Sequence, residues 1–201
     1  MVQYVVILFV EGATEVVFYR KLIEYLIDKK KIAPDLKYEI KSLDGITHFE
    51  QRAIRIFKNA IQPKYPDHTV FKVALCYDDD VFTLNRMSRS RMKMVEKSLK
   101  AAGVKQVVHV KAELTIEDWF LLDWKGILNY LEITDNSKSS NYKHLEGLKK
   151  IFRKGKKTYI KGKATNEFID ALDLKVIADK IEQDIPGLYD ILGVSNRKRG
   201  K

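Results

Sequence analysis

Short apolar runs alternate with amphipathic stretches along the chain. Residues 4–10 and 70–77 are apolar runs rich in β-branched side chains, which is typical of strands buried on both faces of a parallel sheet. Shorter runs at residues 38–43 and 106–110 predict two further strands. In the remaining stretches apolar residues recur at helical spacing, which predicts helices over residues 14–28, 49–61, 87–102 and 115–131. We therefore predict an α/β fold with a mostly parallel sheet of about four strands flanked by helices.

The composition changes near Asn136. Residues 136–163 contain ten Lys or Arg residues and a single acid, Glu146. Two more helices are predicted beyond this segment, near residues 166–171 and 175–183. The change predicts a main domain over residues 1–135 and a small, basic, mainly helical C-terminal extension over residues 136–201.

The overall charge limits the possible partners. The 201-residue chain carries a formal net charge of +10, which favours a polyanionic partner such as nucleic acid or an anionic membrane surface. The apolar N-terminal run is too short to span a bilayer and lacks the features of a signal peptide, so we expect no membrane partner. The single cysteine, Cys76, lies in an apolar run, which fits a buried thiol in a reducing cytoplasm.

Two carboxylates flank the point where the first strand is expected to give way to a helix. Glu11 directly follows the apolar run, at the strand end where ligands gather in parallel sheets. Gly12 permits a tight turn, and Glu15 lies about one helical turn further on. Glu15 also has a structural explanation, because Thr14 can cap the helix and an acid is favoured in its first turn. That explanation does not account for Glu11.

The third predicted strand ends in three consecutive acids. If the chain stays extended there, Asp78 and Asp80 share one face and Asp79 points away. Two carboxylates held together repel each other unless a cation or a proton lies between them. Carboxylate oxygens are ligands that suit Mg²⁺ or Mn²⁺. The alternative is a solvated acidic loop, which is weakened by the basic character of the chain.

Together, an apolar strand ending in EG-x-T-E and a later one ending in D-x-D resemble the TOPRIM domain over residues 1–132. The resemblance is closest to stand-alone nucleases of the OLD family and implies a Rossmann-like TOPRIM sheet. It implies that Mg²⁺ or Mn²⁺ is held by a set of five carboxylates: Glu11, Glu15, Asp78, Asp80 and Glu117. Neighbouring Asp118 has a structural alternative, since it can form a capping box with Thr115. The sequence contains no Walker A motif, so we expect the ATPase domain of full OLD proteins to be absent.

Basic residues supply the expected complement to these acids. The resemblance implies a catalytic lysine late in the chain, for which Lys161 or Lys163 is the candidate, Lys161 being preferred. Nucleic-acid contacts are predicted for two groups of cations: Arg86, Arg89, Arg91 and Lys93, and Lys156, Lys157, Lys161 and Lys163. For any single lysine of the second group, a solvated loop is the simpler interpretation.

These features predict a metal-dependent endonuclease that hydrolyses phosphodiester bonds through the carboxylates. DNA is favoured over RNA as the substrate. The resemblance further implies an effector of a phage-defence system that works with a separate ATPase subunit. Two alternatives stay open: a non-catalytic subunit that binds nucleic acid or an ATPase, and a phosphatase or nucleotide hydrolase. The sequence leaves the oligomeric state undetermined.

Overall fold

A computed structural model describes residues 3–29, 31–83, 87–112, 115–134, 139–163 and 166–194. Four strands form one sheet, and every neighbouring pair is parallel. The strands are β1 (Tyr4–Val10), β2 (Lys37–Ser42), β3 (Val70–Asp78) and β4 (Val104–Ala112). They are arranged in the order β2-β1-β3-β4, which is a Rossmann-like arrangement. The prediction of a four-stranded parallel α/β fold is confirmed.

The helices fall into an early group that connects the strands and a later group that follows the sheet. The connecting helices are α1 (Ala13–Asp28), α2 (Phe49–Ile56, continued by a wider turn over Phe57–Ile61), α3 (Asp80–Thr83) and α4 (Arg89–Ala101). The later helices are α5 (Ile116–Phe120), α6 (Trp124–Leu131), α7 (His144–Lys154), α8 (Asn166–Asp170), α9 (Leu174–Ile181) and α10 (Pro186–Leu192). Short 3₁₀ turns occupy Ile46–His48, Gln62–Lys64 and Ser139–Asn141. Among the described residues, no helix has the length and apolar character needed to cross a membrane.

The sheet buries both faces, in two separate apolar clusters. Val6 and Leu8 of β1 pack with α1 and with the later helices, whereas Val5 and Ile7 pack with α2 and α4. This division follows from the period-two alternation of side chains along a strand. Side chains of α7 to α10 belong to the same cluster as Val6, so the basic C-terminal segment packs directly onto the sheet. The division into units at residues 135/136 stays a prediction.

The single helix predicted over residues 115–131 is wrong, because the structure has two helices with a break between them. Asp123 caps the second helix by accepting a hydrogen bond from the Gly126 N–H at 3.1 Å. Its other carboxylate oxygen accepts one from the Asp173 N–H at 2.7 Å. The break is therefore held by a tie to the start of α9, a long-range contact that helical periodicity cannot predict.

Candidate active site

Four carboxylates lie around the carboxyl ends of three adjacent strands. Glu11 directly follows β1, and Asp78 is the last residue of β3. Glu15 lies in the first turn of α1, and Glu117 in the first turn of α5, shortly after β4. We call Glu11, Glu15, Asp78 and Glu117 the carboxylate cluster. Its position is the edge at which parallel α/β sheets bind ligands.

Backbone groups hold two of these acids in place. The Asp78 N–H donates a hydrogen bond to Glu11 Oε1 at 3.0 Å. The Ile116 N–H donates one to Asp78 Oδ1 at 2.9 Å. These bonds join the end of β1 to the end of β3, and the end of β3 to the start of α5. Glu11 and Asp78 are therefore held in place by backbone groups at the ends of these elements.

Lys161 reaches the cluster from the loop between α7 and α8. Its Nζ lies 2.6 Å from Asp78 Oδ2 and 3.7 Å from Glu117 Oε2. Burial alone would lower the pKa of Lys161, but the charges of Asp78 and Glu117 outweigh it and raise that pKa above its usual value. The ammonium therefore stays charged. Among the described residues, Lys161 is the cation in ion-pair contact with the cluster.

Two glycines lie where the loop that carries Lys161 meets the start of α1. A Cβ atom on Gly12 would lie 3.1 Å from Glu15 Oε2 and 3.7 Å from the Cα of Gly162. Gly162 has a φ of +80°, in the region that favours glycine. Thr14 Oγ1 donates a hydrogen bond to the Lys163 carbonyl at 3.3 Å, which ties the loop to the first turn of α1. The EG-x-T-E segment thus positions the lysine as well as the two glutamates.

The cluster holds more negative charge than one lysine neutralises. Burial, followed by repulsion from Asp78, raises the pKa of Glu11 to about 7. Burial chiefly, with Asp78 adding, also raises the pKa of Glu15 to about 7. The pKa of Asp78 is raised by burial to about 6, although Lys161 opposes the rise. At neutral pH the carboxyl groups therefore favour either a shared proton or a further cation.

Two buried oxygens of the cluster accept no hydrogen bond from any described residue: Glu15 Oε2 and Glu117 Oε2. Such oxygens are costly in a protein interior unless they meet a cation or a donor. Carboxylate oxygens are the donors that Mg²⁺ and Mn²⁺ prefer, so the donor chemistry fits a divalent ion. Over the described ranges, no three Asp, Glu, His or Cys side chains already surround one metal position. The Lys161 ammonium supplies the positive charge between Asp78 and Glu117.

Asp80 does not follow the expected geometry. The extended chain ends at Asp78, and Asp80 is the first residue of α3. The Asp79 carbonyl accepts a hydrogen bond from the Phe82 N–H at 3.4 Å, which turns the chain. The alternation that would pair Asp78 with Asp80 therefore does not apply. Asp79 does point away from the cluster, with Oδ1 at 3.7 Å from Lys111 Nζ.

The predicted nucleic-acid contacts lie in different environments. Arg86 is outside the described residues. Arg91 is engaged in an ion pair with Glu50, and Lys157 donates to the Tyr130 carbonyl. Arg89 and Lys156 are exposed, and Lys163 adjoins the loop turn at the cluster.

Tyr159 is a site residue that the sequence did not indicate. Its buried hydroxyl donates to Glu117 Oε1 at 3.1 Å. The signal available in the sequence was an aromatic residue inside a lysine-rich run. The capping-box alternative for Asp118 is confirmed, because its carboxylate bonds to the Thr115 N–H and hydroxyl. Asp118 also contacts His144 at the start of α7.

The chain gives no match to any protein-family model, to any curated protein or to any solved structure in the comparisons made.

Proposed function

We propose that the protein is a divalent-metal-dependent nuclease that hydrolyses phosphodiester bonds, with DNA favoured over RNA as the substrate. The observation that carries this proposal is the convergence of four carboxylates and one lysine at the carboxyl edge of a parallel sheet. The resemblance of the EG-x-T-E and D-x-D segments to TOPRIM nucleases supports the same chemistry.

The carboxylate cluster would hold the metal. Glu15 and Glu117 each present an oxygen that accepts no hydrogen bond from a described residue. Asp78 ends β3, the strand between β1, which precedes the helix of Glu15, and β4, which precedes the helix of Glu117. A divalent ion at such a site lowers the pKa of a bound water and neutralises charge on a phosphoryl oxygen. Glu11 orients the end of β3 through its bond from the Asp78 N–H.

Lys161 would bind the scissile phosphate. Its ammonium stays charged and contacts the carboxylates, and its side chain is about one-third exposed, which would leave room for a phosphate oxygen to approach it. A fixed positive charge at this position stabilises negative charge that develops during hydrolysis. Because Lys161 also contacts Asp78 and Glu117 of the cluster, its binding of phosphate would depend on whether those carboxylates are charged or hold a metal ion.

Nucleic acid is the favoured polyanion. The net charge of +10 and the ten basic residues of the 136–163 segment suit a phosphate backbone, and that segment delivers Lys161 to the site. A cytoplasmic location, a separate ATPase subunit and a role in phage defence extend the proposal and rest on the resemblance and on Cys76 alone.

The test is cleavage of supercoiled plasmid, linear DNA and RNA by the purified protein in Mg²⁺, Mn²⁺ or EDTA. Cleavage is expected in metal, and loss of cleavage is expected in EDTA and in a Glu11→Gln/Asp78→Asn double variant. Equal cleavage by the double variant would refute the site. Hydrolysis of small phosphate esters without cleavage of nucleic acid would identify a phosphatase instead. Binding without cleavage, even with a co-purified ATPase, would identify a non-catalytic subunit.

A further inference from the structure

A cavity of about 320 Å³ lies beside the carboxylate cluster, on the opposite face of the sheet. Tyr77 of β3 and Lys111 of β4 are register partners, and both line the cavity. The next residue after Tyr77 is Asp78, which points to the cluster. Asp79 then contacts Lys111 at 3.7 Å. The cavity and the cluster are therefore two sides of the same strand end.

Aromatic rings form two walls of the cavity. The rings of Tyr77 and Phe82 lie 5.7 Å apart at an interplanar angle of 90°. The His109 ring stands against Tyr77 at 6.0 Å and 82°. Both of its nitrogens are engaged, one by the Tyr77 hydroxyl and one by Glu96, so the imidazole is held rigidly. Flat faces at fixed angles suit a planar ring such as a nucleobase.

The cavity is positively charged. Three cations line it, Arg89, Lys93 and Lys111, together with the acid Glu96, and Lys111 is also paired with Asp79 at 3.7 Å. The Glu96 carboxylate is already paired with Lys100 at 2.6 Å, and its other oxygen lies 3.1 Å from His109 Nε2. Arg89 and Lys93 form no ion pair with a described residue, and the Arg89 guanidinium lies 5.4 Å from the Phe82 ring centroid. The ligand that complements this lining is planar at one end and anionic at the other.

We propose that this cavity binds one nucleotide of the nucleic-acid strand next to the phosphate that lies at the carboxylate cluster. The base packs against Phe82 and Tyr77, and its phosphate faces Lys93 and Lys111. A nucleotide splayed out of a single strand can be held in this way without sequence recognition. The inference rests on the proposed function for its strand source, because a strand that crosses the sheet edge passes both sites.

Fluorescence anisotropy of a labelled single-stranded DNA 12-mer in EDTA tests binding separately from cleavage. Lys93→Glu is expected to weaken binding about tenfold or more, since it reverses a charge that faces the phosphate. The matched control is Lys97→Glu, the same charge change one turn further along α4, exposed and outside the cavity. The control is expected to weaken binding about twofold or less. Equal weakening by both variants would mean that only the overall charge matters and would overturn the inference.

A second measurement locates the base. A 5-iodouracil oligonucleotide is expected to crosslink to a peptide containing Phe82, and Phe82→Leu is expected to lower the yield. A crosslink elsewhere, or no binding of any oligonucleotide, would overturn the inference. Tighter binding of a free mononucleotide than of the oligonucleotide would overturn the strand as the source. Metal-dependent cleavage by the unsubstituted protein that is lost in Glu11→Gln/Asp78→Asn would leave the proposed function intact even if Lys93→Glu and Lys97→Glu bound the oligonucleotide equally, so the two failures are distinguishable.

Discussion

The two faces of the sheet differ sharply at their shared carboxyl edge. On one face, buried carboxylates outnumber the one lysine among the described residues that contacts them, and the pKa values of Glu11, Glu15 and Asp78 are raised. On the other face, three cations and two aromatic rings line an open cavity with one ion-paired acid. Side-chain alternation produces this difference, because Tyr77 and Asp78 are consecutive and point to opposite faces. One strand end thus places buried carboxylates on one side and a positively charged cavity on the other.

The largest expected difference between the two faces is in the effect on cleavage of substituting two adjacent aspartates, Asp78 and Asp79. Asp78→Asn keeps an acceptor for the Ile116 N–H but removes a charge that faces Lys161. We expect metal-dependent cleavage to fall about 100-fold or more, because changing even the outer partners of metal ligands costs roughly 10–100-fold. Single-turnover cleavage rates at saturating Mn²⁺ measure the effect.

The control is Asp79→Asn, the same substitution one residue later. Asp79 is 44% exposed and its contact with Lys111 is long, so we expect a change below about fivefold, as exposed ion pairs contribute about 1 kcal/mol or less. If both substitutions abolish cleavage, the assignment of Asp78 alone to the reactive face is wrong.

Two lysines of the loop provide the next comparison. Lys161→Met removes the charge between Asp78 and Glu117, and we expect cleavage to fall about 100-fold, as it does when one preorganised charge-stabilising donor is lost. Lys163 contributes its backbone carbonyl to the site, as the acceptor for Thr14, and its side chain is exposed. Lys163→Met keeps that carbonyl, so we expect cleavage to change by about twofold or less. The opposite ranking would transfer the catalytic role to Lys163.

We expect the stability of the folded protein to fall as pH rises when no metal is bound, and to depend less on pH when Mg²⁺ or Mn²⁺ is bound. The pKa values of Glu11 and Glu15 are raised to about 7 in the folded protein, so the native state binds more protons than the unfolded chain above the ordinary value of 4.5. Stability from these groups is therefore present below that value and is lost as pH rises through about 7. We expect Mg²⁺ or Mn²⁺ to raise Tm more at pH 8 than at pH 5.

Glu15→Gln is the variant that sharpens this test. It removes one carboxyl of raised pKa from the cluster, so in EDTA at pH 8 we expect Tm to rise by about 2–4 °C per kcal/mol gained. The same variant should weaken the stabilisation by metal. Equal metal-induced shifts at both pH values would contradict the cation site.

Local patterns predicted the sheet and the first half of the site. The apolar runs before Glu11 and Asp78 indicate buried strands, and parallel strands bring their carboxyl ends to one edge, so these two acids could be placed together from sequence. Asp80 could not, because the turn at Asp79 depends on hydrogen bonds to Ala112 and Phe82. Three consecutive aspartates read the same in the sequence whether the chain continues as a strand or turns into a helix after Asp78.

Long-range contacts explain what the sequence left open. Lys161 is 83 residues from Asp78, and only the resemblance, rather than any local pattern in the lysine-rich segment, favoured it over Lys156 or Lys157. Its position depends on the positive φ of Gly162 and on the hydrogen bond from Thr14 to the loop. Tyr159 is 42 residues from Glu117, and its hydroxyl finds that acid only after the helices that follow the sheet pack on it.

The smallest expected effects come from replacing a tyrosine by phenylalanine, once on each face of the sheet. Tyr159→Phe removes the buried hydroxyl that donates to Glu117 Oε1, and we expect a loss of about 1.5–3 kcal/mol, the range for a hydrogen bond to a charged group. Tyr77→Phe removes a bond to His109 beside the open cavity, where water can replace it, and we expect about 0.5–1 kcal/mol. Urea unfolding with an unchanged m-value measures both. Equal losses of unfolding free energy would contradict this comparison. A tyrosine hydroxyl would then contribute as much beside the open cavity as it does in the closed carboxylate site, and the two faces would not differ in their dependence on buried polar contacts.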